Sequence, residues 1–145
     1  FINNSEFEWK KADMQEDFPR FEVPWCFDTV IEEVGMVFEA LTEDIETTFN
    51  KRLEFSSAVV WKDIHPYTIG KHSDRDLIRA SIQIYLNAHP ARDLSTHFQS
   101  TNGVVKPCYK KNYGYAMDNR DKPMHWMLEE IPVDFERYSL YVIWK

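Results

Sequence analysis

The sequence predicts a mainly β protein in which one helix supports a sandwich or barrel of about seven or eight short strands. Two observations lead to this prediction. Apolar residues recur at helical spacing over residues 28–50, and from Leu53 onward the apolar period falls to two. Turn-forming residues also separate the apolar runs of the second half, which is typical of all-β architectures. We therefore expect a β core over residues 53–145.

Length and composition limit the possible function classes. A chain of 145 residues can bury a core without disulfides, so we expect a single domain over residues 1–145. The net charge of −7 argues against a nucleic-acid partner, although Lys106 to Lys111 is locally basic. No apolar run is long enough to cross a bilayer, and no signal peptide is visible. Cys26 and Cys108 form neither a disulfide framework nor a zinc ribbon, which favours reduced, partly buried thiols and a cytoplasmic protein.

The helix predicted over residues 28–50 is amphipathic and packs against the strands. Thr29 and Glu32 fit a capping box at its start, and Phe27 can pack against its first turns. The residues before it, 1–26, predict a short strand or two without a catalytic role. The apolar face of the helix is read from spacings of three and four: Val30, Val34, Val37, Phe38, Leu41 and Ile45.

The strands are predicted from alternation and from the turns between them. Residues 77–86 alternate most clearly, with Ala80 and Ile82 on an apolar face and Ser81, Gln83 and Tyr85 on a polar one. Such a strand suits a barrel whose interior is a binding cavity. The remaining predicted segments are a strand over 57–64 that ends before His65-Pro66, a strand over 94–99, a hairpin over 104–117, a loop over 119–123 and a final strand over 137–144.

One motif indicates a metal site. His72 and Asp74 lie two residues apart in an extended segment, so their side chains project from the same side and can reach one ion. His125 is the best candidate for a third ligand, with three other histidines as competitors. Two histidines and one carboxylate are the ligands of non-heme Fe(II) oxygenases. The competing histidines are His65, His89 and His97.

The motifs in their order resemble the Fe(II)/2-oxoglutarate-dependent dioxygenases, and the prolyl-4-hydroxylase-like branch is the nearest. The resemblance covers residues 57–145 and rests on four motifs: His72-x-Asp74, Ile84-Tyr85-Leu86-Asn87, His125 and Arg137-Tyr138-Ser139. It implies a double-stranded β-helix, that is, a cupin-like jelly-roll barrel. It also implies that His72, Asp74 and His125 are the catalytic Fe(II) ligands.

The same resemblance implies how the co-substrate binds. Arg137 would pair with the distal carboxylate of 2-oxoglutarate, because a planar guanidinium can donate two parallel hydrogen bonds. Ser139 and Tyr85 would bind the same carboxylate. The implied reaction uses O2, with ascorbate as reductant, and hydroxylates a C–H bond of a peptidyl (prolyl-type) or small-molecule substrate with release of succinate and CO2. Related halogenases have a small residue in place of the carboxylate ligand, so Asp74 favours hydroxylation.

Two other function classes are compatible with the residues. One is a non-catalytic jelly-roll binding module with a vestigial metal site. The other is a cupin-type zinc or manganese enzyme that uses several histidines and no keto acid. An intact triad together with Arg137 and Ser139 argues against the first, and Arg137 would have no purpose in the second.

Overall fold

The structure is a computed structural model that describes residues 8–12, 19–24 and 32–145. Phe27, Thr29 and Cys26, which the sequence predictions used, lie outside these ranges. Ten strands and one helix follow in chain order among the described residues: β1 (Lys10–Lys11), β2 (Arg20–Pro24), α1 (Glu32–Phe49), β3 (Phe55–Asp63), β4 (Ile69–His72), β5 (Ala80–Tyr85), β6 (His97–Ser100), β7 (Gly103–Val105), β8 (Gly114–Asp118), β9 (His125–Met127) and β10 (Arg137–Trp144).

The strands form two separate antiparallel sheets. The larger has the order β1-β2-β3-β10-β5-β8 and the smaller the order β4-β9-β6-β7. From β3 onward the chain passes back and forth between them, and only β6 and β7 are consecutive strands of one sheet. This topology is a double-stranded β-helix, which confirms the predicted fold class.

The apolar core lies between α1 and the outer face of the larger sheet. Ile82 and Trp144 lie on this face, and the Trp144 Nε1 donates a hydrogen bond of 2.9 Å to Thr42 Oγ1 of the helix. The alternation predicted for residues 77–86 is confirmed, with Ser81 and Gln83 on the opposite face. The buried residues of this core are Phe38, Ile45, Ala58, Ala80, Ile82, Val142 and Trp144. Val37, by contrast, is 62% exposed, because it lies beside Phe38 and points off the packed face.

The predicted hairpin over residues 104–117 is wrong. β7 pairs with β6 in the smaller sheet, whereas β8 pairs with β5 in the larger one. The connection between β7 and β8 is a long, largely exposed segment that crosses from one sheet to the other, so its two ends pair with different strands. Gly114 allows β8 to approach β5, because a Cβ at this position would overlap the carbonyl oxygen of Gln83.

Two further sequence predictions concern the surface. Cys108 is free and exposed rather than partly buried, because it lies in the crossing segment between the sheets. Among the described residues, no helix combines the length and apolar character that a membrane crossing requires.

Candidate active site

The predicted metal ligands lie together because two strands of the smaller sheet pair in one register. His72 of β4 and His125 of β9 are directly paired residues, and their ring centroids lie 4.2 Å apart. Asp74 follows two residues after His72, and its Oδ1 lies 3.6 Å from His125 Nε2. One ligand atom from each of the three residues lies within 4.8 Å of the others, so the cluster could hold a single metal ion.

Hydrogen bonds with neighbouring groups orient all three side chains. His72 Nδ1 lies 2.8 Å from the Gly70 carbonyl oxygen, and His125 Nδ1 lies 3.1 Å from that of Pro123. Because a carbonyl only accepts, both Nδ1 atoms donate, which leaves each Nε2 as the ligand nitrogen.

The Asp74 carboxylate is held in the same way by two groups of the larger sheet and its loops. Its Oδ2 accepts hydrogen bonds from the Tyr141 hydroxyl at 3.0 Å and from Asn119 Nδ2 at 3.4 Å. Its Oδ1 remains on the side of His125. The carboxylate is therefore oriented before any ion binds, as the outer-shell partners of metal ligands usually provide.

Electrostatics favour the protonation states that a metal site needs. Burial lowers the pKa of His125, assisted by His72 and opposed by the Pro123 carbonyl and Asp74. The neutral imidazole, which can bind a metal, is therefore favoured at neutral pH. Burial and the Asp74 carboxylate raise the pKa of Tyr141 well above its ordinary value. The phenol consequently keeps the proton that it donates to Asp74.

A cavity extends from this cluster into the space between the two sheets. It contains about 450 Å³ of empty volume including its mouth, and Arg137 lies in its wall. Gln83 and Thr96 add polar groups to the wall. Aromatic and apolar side chains form much of the rest: Trp61, Tyr67, Ile69, Tyr115, Met127 and Tyr141. A small ligand in this cavity would contact the metal cluster and the Arg137 guanidinium together.

Arg137 has hydrogen-bond donors that no described residue accepts from. Its side chain is buried, and its Nη1 donates a hydrogen bond of 2.8 Å to Asp63 Oδ2. Its Nε and Nη2 are buried, and neither has a hydrogen-bond partner within the described residues. Burial lowers the pKa of Arg137, but Asp63 and three tyrosines more than offset this, so the guanidinium stays charged. A ligand carboxylate is the group that would satisfy these donors.

Tyr85 and Ser139, the other two predicted co-substrate ligands, do not line the cavity. The Tyr85 hydroxyl accepts a hydrogen bond of 3.0 Å from the Thr96 backbone nitrogen, and its ring lies 5.2 Å from the guanidinium carbon of Arg137. Ser139 Oγ accepts a hydrogen bond of 2.9 Å from Gln83 Nε2. Both side chains are fully buried close to Arg137, and their binding roles remain predictions.

The competing histidines lie outside the metal cluster. His65 Nδ1 is 3.0 Å from the Ile131 carbonyl oxygen, and His89 Nδ1 accepts hydrogen bonds from the backbone of Ala91 and Arg92. His97 stacks on Trp126 with ring centroids 5.7 Å apart. Each therefore has a local structural role.

The sequence matches no family model and no curated protein. Solved structures do match the fold. A prolyl-4-hydroxylase from Pseudomonas putida superposes with a TM-score of 0.78 at 17% identity, over 97% of this chain and 79% of that one. The chain has the fold of this hydroxylase.

Two further solved structures share this fold and contain bound ligands. A viral collagen prolyl hydroxylase from Paramecium Bursaria Chlorella virus-1, in complex with 2-oxoglutarate, has a TM-score of 0.65 at 15% identity over 87% of this chain and 79% of that one. A prolyl hydroxylase from Trichoplax adhaerens, in complex with a peptide fragment of hypoxia inducible factor, has a TM-score of 0.64 at 11% identity. The match covers 94% of this chain and 70% of that one.

Sequence reasoning missed Arg20, which lines the cavity, and Asp63, the buried carboxylate that pairs with it. Arg20 belongs to the N-terminal segment for which the sequence predicts no catalytic role, yet its side chain lines the cavity. Its Nε lies 2.5 Å and its Nη2 3.1 Å from the two oxygens of Asp63. A charged Asp63 at the end of an apolar strand is a weak signal, since buried carboxylates need a partner. Nothing in the sequence indicates that Arg20 is that partner.

Proposed function

We propose that the protein is an Fe(II)- and 2-oxoglutarate-dependent oxygenase that hydroxylates a C–H bond of a peptidyl or small-molecule substrate. One observation supports this above all others. A two-histidine, one-carboxylate cluster shares a cavity with a buried arginine that has two hydrogen-bond donors without partners. Iron favours such a ligand set, and a keto acid with a distal carboxylate matches both ends of the cavity.

In this proposal each residue has a defined task. His72, Asp74 and His125 hold Fe(II), and Arg137 binds the distal carboxylate of 2-oxoglutarate. When bound, Fe(II) and 2-oxoglutarate supply the O2-dependent oxidation of a C–H bond, with release of succinate and CO2. Protein side chains position these groups rather than react themselves.

The residues around the ligands keep the site preorganised and shielded from water. Tyr141 donates to Asp74 and stacks on Trp61, with ring centroids 4.2 Å apart and planes 18° apart. This stack fixes the phenol, and the phenol in turn fixes the carboxylate. Met127 and Ile69 present apolar surface to the same cavity, which lowers its water content and strengthens the charge contacts inside it.

A peptide substrate is consistent with the Trichoplax adhaerens prolyl hydroxylase, whose structure contains a peptide fragment. A free amino acid or another small metabolite fits the ligand set equally well. The proposal therefore names the reaction class and leaves both substrate types open.

The test is succinate formation from 2-oxoglutarate with Fe(II), ascorbate and O2, because such enzymes turn over the keto acid slowly without their substrate. The wild type is compared with Asp74→Ala, and the matched control is Asp76→Ala, an exposed carboxylate two residues along that pairs with Lys122. We expect Asp74→Ala to lose at least about 100-fold in rate, since even outer-shell partners of metal ligands are typically worth 10–100-fold. Asp76→Ala should match the wild type.

A wild type that neither forms succinate nor binds Fe(II) and 2-oxoglutarate under anaerobic conditions would overturn the proposal in favour of a binding module. Iron or zinc binding without any 2-oxoglutarate binding would instead favour the cupin-type alternative. Equal turnover in the wild type and Asp74→Ala would remove the assigned metal site.

A further inference from the structure

Three charged side chains form one row across the inner face of the larger sheet. Arg20 of β2 and Arg137 of β10 are each the directly paired residue of Asp63 on β3, which lies between them. Asp63 is fully buried, and the two arginines are 4% and 1% exposed. One carboxylate therefore accepts hydrogen bonds from two guanidinium groups. Arg137 Nη1 donates to Oδ2, and Arg20 donates from Nε to Oδ1 and from Nη2 to Oδ2.

The row has an unbalanced charge. Two guanidinium groups and one carboxylate leave a net charge of +1 in a buried place where charges are costly unless they are paired. Arg137 and Asp63 alone would form a neutral pair. The excess positive charge at this end of the cavity therefore depends on Arg20.

Arg20 cannot easily move away from this position. Its guanidinium carbon lies 3.8 Å from the centre of the Trp61 ring and 4.4 Å from that of Tyr67. Burial lowers the pKa of Arg20, and the Asp63 carboxylate more than offsets this, so its charge is permanent. Aromatic faces and a bidentate ion pair together fix both the charge and its place.

We propose that Arg20 is a specificity-determining positioning residue: by neutralising Asp63 it leaves Arg137 with an uncompensated positive charge that selects a keto acid with a distal carboxylate over a monoacid. This inference rests on the proposed function. It concerns the N-terminal strand β2, which lies outside the motifs that identified the site.

The experiment measures anaerobic binding of two ligands to the full chain loaded with Fe(II). The ligands are 2-oxoglutarate and 2-oxopentanoate, which has the same five carbons and lacks the distal carboxylate. We expect Arg20→Gln to raise the Kd of 2-oxoglutarate by about 10-fold or more, since charge-assisted contacts in a desolvated site are strong. The Kd of 2-oxopentanoate should change by less than about twofold, because that ligand has no charge at this end.

Two further variants separate charge from packing. The double variant Arg20→Gln/Asp63→Asn removes one charge of each sign and restores +1, so it should recover most of the lost 2-oxoglutarate affinity. Arg20→Lys also keeps the charge and should retain the preference. Arg52→Gln is the control, since the Arg52 side chain is 97% exposed and lies far along the chain from β2.

The outcomes distinguish this inference from the proposed function. A wild type that binds no 2-oxoglutarate contradicts the function itself. A folded Arg20→Gln variant with unchanged affinity, or with equal losses for both ligands, shows that Arg20 is only structural and overturns the inference. If Arg20→Gln does not fold, Arg20→Lys and the double variant decide the question, because both carry +1 and loss of the preference in either folded variant overturns the inference.

Discussion

The two faces of the larger sheet have opposite chemistry although the same strands form them. Ala80 and Ile82 of β5 pack on the helix, while the alternate residues Ser81 and Gln83 point away from it, and Gln83 lines the cavity. Alternation along a strand makes this division automatic. The outer face supplies apolar burial, which stabilises the fold, and the inner face carries the candidate site.

Burying the inner face costs free energy, because this face carries charged and polar side chains. Asp63, Arg137 and Ser139 are each at most 1% exposed, and such groups destabilise a fold unless they are partnered. The outer face has no comparable group among its core residues in the described part of the chain. Burial of polar groups on one side only is what a binding site supported by a separate core would show. Substitutions on the two faces should therefore have different consequences.

The largest effect on stability is expected on the outer face. Trp144→Ala removes a fully buried indole and its hydrogen bond to Thr42, so the free energy of unfolding should fall by about 3–5 kcal/mol. Denaturant unfolding followed by circular dichroism measures this change. Val37→Ala is the control, because the exposed Val37 should be worth less than about 0.5 kcal/mol. Similar losses in the two variants would contradict the assignment of the core to this face.

An inner-face substitution should affect metal binding more than stability. Tyr141→Phe removes the hydroxyl that donates to Asp74 and keeps the stacked ring. We expect Fe(II) affinity to fall by about 10-fold or more, as for other outer-shell partners, with a stability change near 1 kcal/mol. Anaerobic Fe(II) titration and thermal unfolding measure the two quantities.

The matched control for Tyr141→Phe is Tyr113→Phe, which removes a hydroxyl from an exposed ring. It should leave Fe(II) affinity unchanged. Unchanged affinity in Tyr141→Phe as well would mean that the Asp74 carboxylate does not depend on this hydrogen bond.

The smallest effect on stability is expected at Asp118, where the end of β8 meets the end of the helix. Burial raises the pKa of Asp118, but Arg120 and Lys51 more than offset this and lower the pKa to about 2. A carboxyl whose folded pKa is depressed contributes stability above its unfolded pKa of about 3.9, and this contribution is lost as the pH falls through about 2. Asp118→Asn should therefore reduce stability at pH 7 by about 1 kcal/mol after allowance for solvent screening.

The measurement is the free energy of unfolding of wild type and Asp118→Asn as a function of pH. The two curves should differ at pH 7 and converge as the pH approaches 2. Asp134→Asn, at an exposed position, is the control and should follow the wild type. A constant difference between wild type and Asp118→Asn over the whole range would exclude the ion pair as the cause.

Much of the candidate site could be predicted from the sequence. The spacing of His72 and Asp74, and the position of Arg137 at the start of a strand, identified groups that the structure brings to one cavity. Tyr85 and Ser139 are fully buried and do not line the cavity, and their roles stay predictions. Arg20 and Asp63 were missed, because neither residue belongs to a motif.

The sequence by itself determined which residues share a face, because alternation is a local property of an extended backbone. Alternation predicted which side chains of β5 share its apolar face. It also predicted a strand over residues 137–144, the bounds that β10 has. Only the tertiary structure decided which strands are neighbours and in what register. The pairing of His72 with His125, and the row from Arg20 through Asp63 to Arg137, depend on packing between segments far apart in the chain. No local pattern encodes that packing, since register is set by how the whole core closes.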